Sequence, residues 1–253
     1  MEIPAANTPT PSDRDILRDV DQPASLTCAV AAFRFWRPAG PGISRGILVL
    51  VPGANGDGRA MVMEPVWQDY ARRQQLALVG CYFKDHLHAN MNVEEYCRAG
   101  AGSGAALLTA LQQFADQAQR PEVATAPLLF WGHSAGGQFN YEFACWQPER
   151  VLAFVVNKGG YYYTHLAPAA TRQVPGIFFI GANDAEFRVA SIRGIFAVNQ
   201  SAGAGWKLVI EPNTGHEEGE SREQALRFFD GVITARFAQA NGSGQPSSLV
   251  EQF

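Results

Sequence analysis

The sequence predicts an α/β fold with a mainly parallel central sheet and helices on both of its faces. Three observations carry this reading. Apolar runs of strand length alternate with longer segments of helical period along the body of the chain. The strand-length runs are almost continuously apolar, which means burial on both faces of a sheet. Strands that alternate with helices need right-handed crossovers, so parallel strands covered on either side are the economical arrangement.

The elements follow in order. Residues 26–36, LTCAVAAFRFW, read as an early strand or half of a hairpin, and 47–52, ILVLVP, as a buried strand. A helix is expected around 62–74, a strand over 76–83 (LALVGCYF) and a long helix near 103–119. Strand 127–131 then leads into helix 135–146, followed by strands 151–156 and 176–181 (GIFFIG). Helix 188–200, strand 206–210 (WKLVI) and a final helix 221–239 complete the body. The first residues are rich in Pro, Thr and Asp and the last in Gly, Ser and Gln. The expectation is a loosely ordered segment over 1–22, one domain over 23–240 and a flexible tail over 241–253. No internal repeat or linker divides the body.

Composition narrows the class. At 253 residues and 47% hydrophobic, the chain can bury a large core without staples. A formal charge of −4 leaves no basic surplus for phosphates, so neither nucleic acid nor an anionic membrane is an expected partner. No apolar run approaches the ~20 residues of a membrane helix, which predicts a soluble protein. The N-terminal stretch has no basic segment followed by an apolar one. That fits a cytoplasmic protein, or a secreted or periplasmic one if the chain is a mature form without its signal peptide. Cys28, Cys81, Cys97 and Cys145 lack C-x-x-C or zinc-like spacing. Four free thiols or two disulfides both remain open, as does the oligomeric state.

In sheets of this kind reactive residues gather at the carboxyl ends of the strands. After strand 127–131 comes Gly132-His133-Ser134-Ala135-Gly136, a G-x-S-x-G between a predicted strand and a predicted helix. Glycines two residues before and after the serine remove Cβ atoms from a tight corner and let Ser134 project its hydroxyl. The stretch lacks both the Gly-Lys-Ser/Thr of a phosphate loop and the G-x-G-x-x-G spacing. Serine is a weak nucleophile at its free pKa and needs an imidazole, itself held by an acid.

Architectures with the serine first place the acid and then the histidine downstream. Of five histidines, only His165 and His216 follow Ser134. His216 lies on EPNTGHEEG after strand 206–210 and is the candidate base; His165 reads as a loop histidine. Asp184, on the loop after GIFFIG, is the candidate acid, ahead of Glu186 and Glu211, while Glu217 and Glu218 read as a solvated pair. A tetrahedral intermediate needs N–H donors at its oxygen. Ala135 is expected to supply one and Ala54, with Asn55 as second choice, the other, from the loop Pro52-Gly53-Ala54-Asn55-Gly56-Asp57-Gly58.

These segments, taken in order over residues 26–240, resemble the α/β-hydrolase superfamily. Within it the chain is similar to the serine esterases grouped with dienelactone hydrolases and polyhydroxyalkanoate depolymerases. The resemblance implies the α/β-hydrolase fold, a Ser134, Asp184, His216 triad, no cofactor, and hydrolysis of a small-molecule or polymeric carboxylic ester. Two departures stand out: Pro52-Gly53 replaces the His-Gly of many relatives, and Ser134 stands where dienelactone hydrolases carry cysteine. Relatives that open epoxides or carbon–halogen bonds usually have Asp there.

An amidase, peptidase or thioesterase would use the same residues, and a hydrolase fold reused as a binding module is the non-catalytic alternative. Tyr161, Tyr162 and Tyr163 at the reactive edge, with Trp67 after the oxyanion loop, are candidates to line an aromatic pocket, of which Tyr161 and Trp67 are the two chosen. Too little chain separates 156 from 176 for a large lid. Asp85-His86-Leu87-His88 has an H-x-H spacing but no third ligand, so no metal is expected; Lys84 and Arg98 read as surface charges.

Overall fold

The computed structural model describes residues 14–40, 45–90 and 93–240. The elements run β1 (Ile16–Gln22), β2 (Val30–Arg37), β3 (Gly46–Val51), α1 (Pro65–Gln74), β4 (Leu76–Lys84), α2 (Ser103–Ala118), α3 (Glu122–Thr125), β5 (Leu128–Gly132) and α4 (Ala135–Trp146). They continue with β6 (Val151–Asn157), α5 (Ala169–Arg172), β7 (Gly176–Gly181), α6 (Glu186–Ser201), β8 (Lys207–Glu211) and α7 (Ser221–Ala240).

The eight strands form one sheet in the order β1-β2-β4-β3-β5-β6-β7-β8. β4, β3 and β5 to β8 pair in parallel, while β1–β2 and β2–β4 are antiparallel. Alternate residues of one strand serve opposite faces, and both faces are covered. Ile47, Val49 and Val51 of β3 pack with Phe114 of α2 and Phe139 and Phe143 of α4. Leu48 and Leu50 join Trp67 and Tyr70 of α1 and Phe229 and Ile233 of α7 on the other side. This two-sided burial is why β3, β5 and β7 read as unbroken apolar runs rather than as alternation.

Three expectations need correction or completion. Residues 16–22 are not loosely ordered: they form β1, paired along its length with β2. Its sequence ILRDVDQ buries only Val20 because an edge strand has one neighbour and a wet outer face, so neither apolar pattern marks it. Residues 1–13 and the tail 241–253 lie outside the described residues. The helix expected from 62 begins at Pro65, whose missing N–H suits the first turn, after a 3₁₀ turn over Arg59–Met63. Between β6 and β7 the only helix is the four-residue α5, so no lid covers the sheet there.

All four cysteines are free thiols. No helix among the described residues is long and apolar enough to cross a membrane.

Candidate active site

Ser134 stands at the corner between β5 and α4 with φ 55° and ψ −124°. For a residue with a Cβ this conformation costs on the order of 1–3 kcal/mol, and the surroundings must hold it. Its N–H donates to the Asn157 carbonyl at 2.7 Å, and its own carbonyl accepts the Gln138 N–H at 3.2 Å. The flanking glycines are required by contact. A Cβ on Gly136 would run into the Val51 carbonyl, and one on Gly132 would lie 2.5 Å from the Gly136 backbone.

The structure brings the three predicted side chains into one row. His216 Nε2 lies 3.0 Å from Ser134 Oγ, and His216 Nδ1 lies 2.8 Å from Asp184 Oδ2. The Asp184 side chain is 4% exposed, with Oδ1 accepting the Ala185 N–H at 2.7 Å, so both carboxylate oxygens are engaged. The loops that carry the acid and the base are themselves tied: Asn183 N–H donates to the Thr214 carbonyl at 2.9 Å and Ala182 N–H to the Glu211 carbonyl at 3.0 Å. This approach explains the glycine that ends β7, because any Cβ on Gly181 would collide with the Thr214 and Gly215 carbonyls. A Nδ1–H donor to Asp184 leaves Nε2 as a base facing the hydroxyl. The arrangement can accept a proton from Ser134 and hold the resulting imidazolium beside a carboxylate.

Competing residues are occupied elsewhere. His165 is exposed, and its carbonyl accepts from Asn199. Glu186 opens α6 at the surface. Glu217 accepts the Gly215 N–H at 2.9 Å, which lowers its pKa, and Glu218 pairs with Arg222 at 2.8 Å. His86 meets the Ser25 carbonyl and His88 the Asp85 carboxylate, so the H-x-H residues do not converge.

A cavity of about 500 Å³ opens at Ser134 and is lined by Ala54, Glu94, Gln138 and Tyr161 among others. Ala54 and Ala135 donate no backbone hydrogen bond among the described residues, whereas the Asn55 N–H faces the Tyr96 hydroxyl at 3.4 Å. Asn55 Oδ1 in turn accepts the Asp85 N–H at 2.9 Å, so Asn55 shapes the loop and Ala54 offers the free donor. Trp67 does not line this cavity. It is fully buried on the opposite face of the sheet against Trp131, with ring centroids 5.2 Å apart, because α1 packs into the layer shared with α7.

Four groups outside the sequence reading complete the site. His133 Nε2 lies 2.6 Å from the His216 carbonyl, and the two rings are 4.9 Å apart. Burial, ahead of the neighbouring His216 and Lys158 charges, pushes the His133 pKa down to about 4, so it is neutral and donates that proton near pH 7. Because its folded pKa lies below the unfolded value, an unfolded chain takes up a proton between pH 6.5 and 4. This contribution is full above pH 6.5, falls as pH drops and is gone below about 4, a span of about 3 kcal/mol. Chemical denaturation of wild type and His133→Phe across pH 4–7.5 is expected to show the two stabilities converging or crossing as the medium is acidified. A difference independent of pH would remove this assignment.

The second and third groups are Gln138 and Glu142, one turn apart on α4. Gln138 Oε1 accepts the Gly160 and Tyr161 N–H groups at 2.7 and 3.1 Å; Glu142 accepts the N–H groups of Tyr163 and Thr164 at 2.7 and 2.9 Å. They hold the loop after β6 and with it Tyr161. The fourth is Lys158, buried with φ 54°, whose ammonium donates to Asn157 Oδ1 at 3.1 Å, to the Glu218 carbonyl at 3.2 Å and to the buried Glu211 carboxylate. Glu211 Oε1 also accepts the Glu220 N–H at 2.8 Å. This buried ion pair anchors both ends of the histidine loop and connects it to Asn157, the residue that holds Ser134.

No family model matches the chain, and no curated protein does. Solved structures do. A ferulic acid esterase superposes with a TM-score of 0.63 at 12% identity, covering 87% of this chain and 97% of the other. A poly(3-hydroxybutyrate) depolymerase from Bordetella parapertussis gives 0.61 at 21% identity over 88% and 94% of the two chains. The chain has the α/β-hydrolase fold. A fluorophosphonate-binding serine hydrolase from Staphylococcus aureus also shares the α/β-hydrolase fold, with a TM-score of 0.59 at 11% identity over 87% and 99%. In α/β-hydrolase terms Ser134 occupies the strand-to-helix elbow, and Asp184 and His216 follow β7 and β8.

Proposed function

We propose that the protein is a serine hydrolase that cleaves carboxylic esters through an acyl-enzyme intermediate. The observation that carries this is the continuous row Ser134 Oγ, His216, Asp184 at 3.0 and 2.8 Å, opening on a cavity. The names of the superposed proteins, an esterase, a depolymerase of a polyester and a serine hydrolase, add support for ester chemistry.

In this reading His216 Nε2 takes the Ser134 proton as Oγ attacks the ester carbonyl, and the carbonyl π pair becomes an oxyanion held by the Ala54 and Ala135 N–H groups. Imidazolium then gives its proton to the leaving alcohol. A water deprotonated by His216 adds to the acyl-enzyme, and collapse releases the acid and restores Ser134. Asp184 stays ionised throughout and stabilises the imidazolium. No cofactor enters any step.

A fluorophosphonate probe is expected to label Ser134, and matched ester, thioester and amide substrates separate the related activities. Turnover of the ester with no measurable turnover of the matched amide supports esterase action; an amide turned over with kcat/KM within about 10-fold of the ester's, despite its poorer leaving group, assigns an amidase. Absence of both labelling and turnover, with a ligand still raising Tm, returns the fold to a binding role.

A further inference from the structure

We propose that the cavity at Ser134 continues past Tyr161 into a second, apolar subsite along α6, so that the two together take an ester whose apolar chain extends well beyond the reacting carbonyl. This inference rests on the hydrolase reading of the first cavity. The second cavity, of about 400 Å³, is lined by Tyr161, Tyr162, His165, Ser191, Ile195 and Val198. Tyr161 belongs to both cavities. It stacks on Phe187, with ring centroids 5.5 Å apart, and Phe187 lines the first cavity.

The helix supplies the direction. Phe187, Ser191, Gly194, Ile195 and Val198 fall at intervals of three and four residues on one face of α6. At 1.5 Å per residue the stripe from Phe187 to Val198 is about 16 Å long. Phe187, Val198 and Tyr161 are each more than a third exposed. Single exposed apolar side chains are ordinary, but Tyr161 and Phe187 line the cavity at Ser134, and Tyr161 and Val198 line the second one. Gln138 holds the backbone of the tyrosine the two cavities share, accepting its N–H at 3.1 Å.

Gly194 leaves the floor open. A Cβ there would meet nothing within 4 Å, so no packing in the folded chain requires glycine at this helical position. Polarity divides the two compartments. Glu94, Gln138 and Arg188 surround the first, while the second is mainly aliphatic and aromatic. Polar atoms near the reacting carbonyl and an alkyl or aryl extension beyond it match that division.

The test compares two matched series below micelle-forming concentrations: p-nitrophenyl esters with acyl chains of increasing length, and acetates of alcohols of increasing length followed by pH-stat. In one series kcat/KM is expected to climb by up to about fourfold per added methylene that enters the groove. Gly194→Trp, which fills the groove, and Val198→Asp, which charges its far end, should each cut the long-to-short ratio at least ~10-fold, while Gly194→Ala keeps it. Circular dichroism and probe labelling check that the variants fold.

A flat profile in both series, or a climb that neither variant touches, overturns the subsite and leaves the hydrolase reading in place. A flat profile with a dimer that Gly194→Trp dissociates overturns it in favour of a second copy of the chain on this face. Failure of every ester together with failure of labelling overturns both readings.

Discussion

Exchanging Ser134 for alanine is expected to lower kcat for a p-nitrophenyl ester by about 10⁴- to 10⁶-fold and to abolish fluorophosphonate labelling. The reason is geometric. Oγ is the atom 3.0 Å from His216 Nε2, and among the described residues no other hydroxyl is bonded to that nitrogen. His216→Ala should fall to a similar rate, and the double variant no further, because the two groups act as one unit. Asp184→Asn should cost less, on the order of 10⁴-fold, by favouring the imidazole tautomer that points its proton at the serine. Single-turnover kinetics with purified variants check all three. Additive losses, or a Ser134→Ala protein that still turns over ester at the wild-type rate, would sink the assignment.

The next largest effect is expected at Lys158. Lys158→Met leaves the Glu211 carboxylate buried without its cation, a change that typically costs about 3–5 kcal/mol. For a chain of this size that corresponds to a Tm drop on the order of 10 °C. The double variant Lys158→Met/Glu211→Leu removes both charges, and much of the Tm should return. Activity should not return with it. The lost bonds to Asn157, to the Glu218 carbonyl and to the Glu220 N–H were what fixed the loop bearing His216. Thermal unfolding and kcat measured on the same preparations separate charge balance from positioning; recovery of both in the double variant would leave charge balance alone.

The parallel part of the sheet was readable because its strands are buried twice, so β3, β5, β6 and β7 stand out as apolar runs between helices. Ser134, Asp184 and His216 were readable because one motif and one rule of order leave few candidates. The rest depends on information that a linear pattern does not carry. β1 is half wet and charged, so its pairing with β2 is visible only once β2 has a place at the sheet edge. Trp67 was assigned to the pocket because a helix pattern gives an apolar stripe but not the side of the sheet it meets. Gln138, Glu142 and Lys158 look like surface polar residues in sequence, yet each is buried and bonded to backbone of a distant loop, and Glu211, a competitor of Asp184 in sequence, is buried as the partner of Lys158. His133 reads as a spacer between glycine and serine until the His216 carbonyl is found beside its ring.

The spacing of the three reacting groups along the chain also sets a timetable. Ser134 precedes Asp184 by 50 positions and His216 by 82, and the imidazole hangs on the loop that follows the outermost parallel strand, β8. During synthesis from the N-terminus the elbow can emerge and pack while its proton acceptor is still unmade. In the hydrolase reading, the hydroxyl of Ser134 therefore has no base beside it until the loop after β8 is in place.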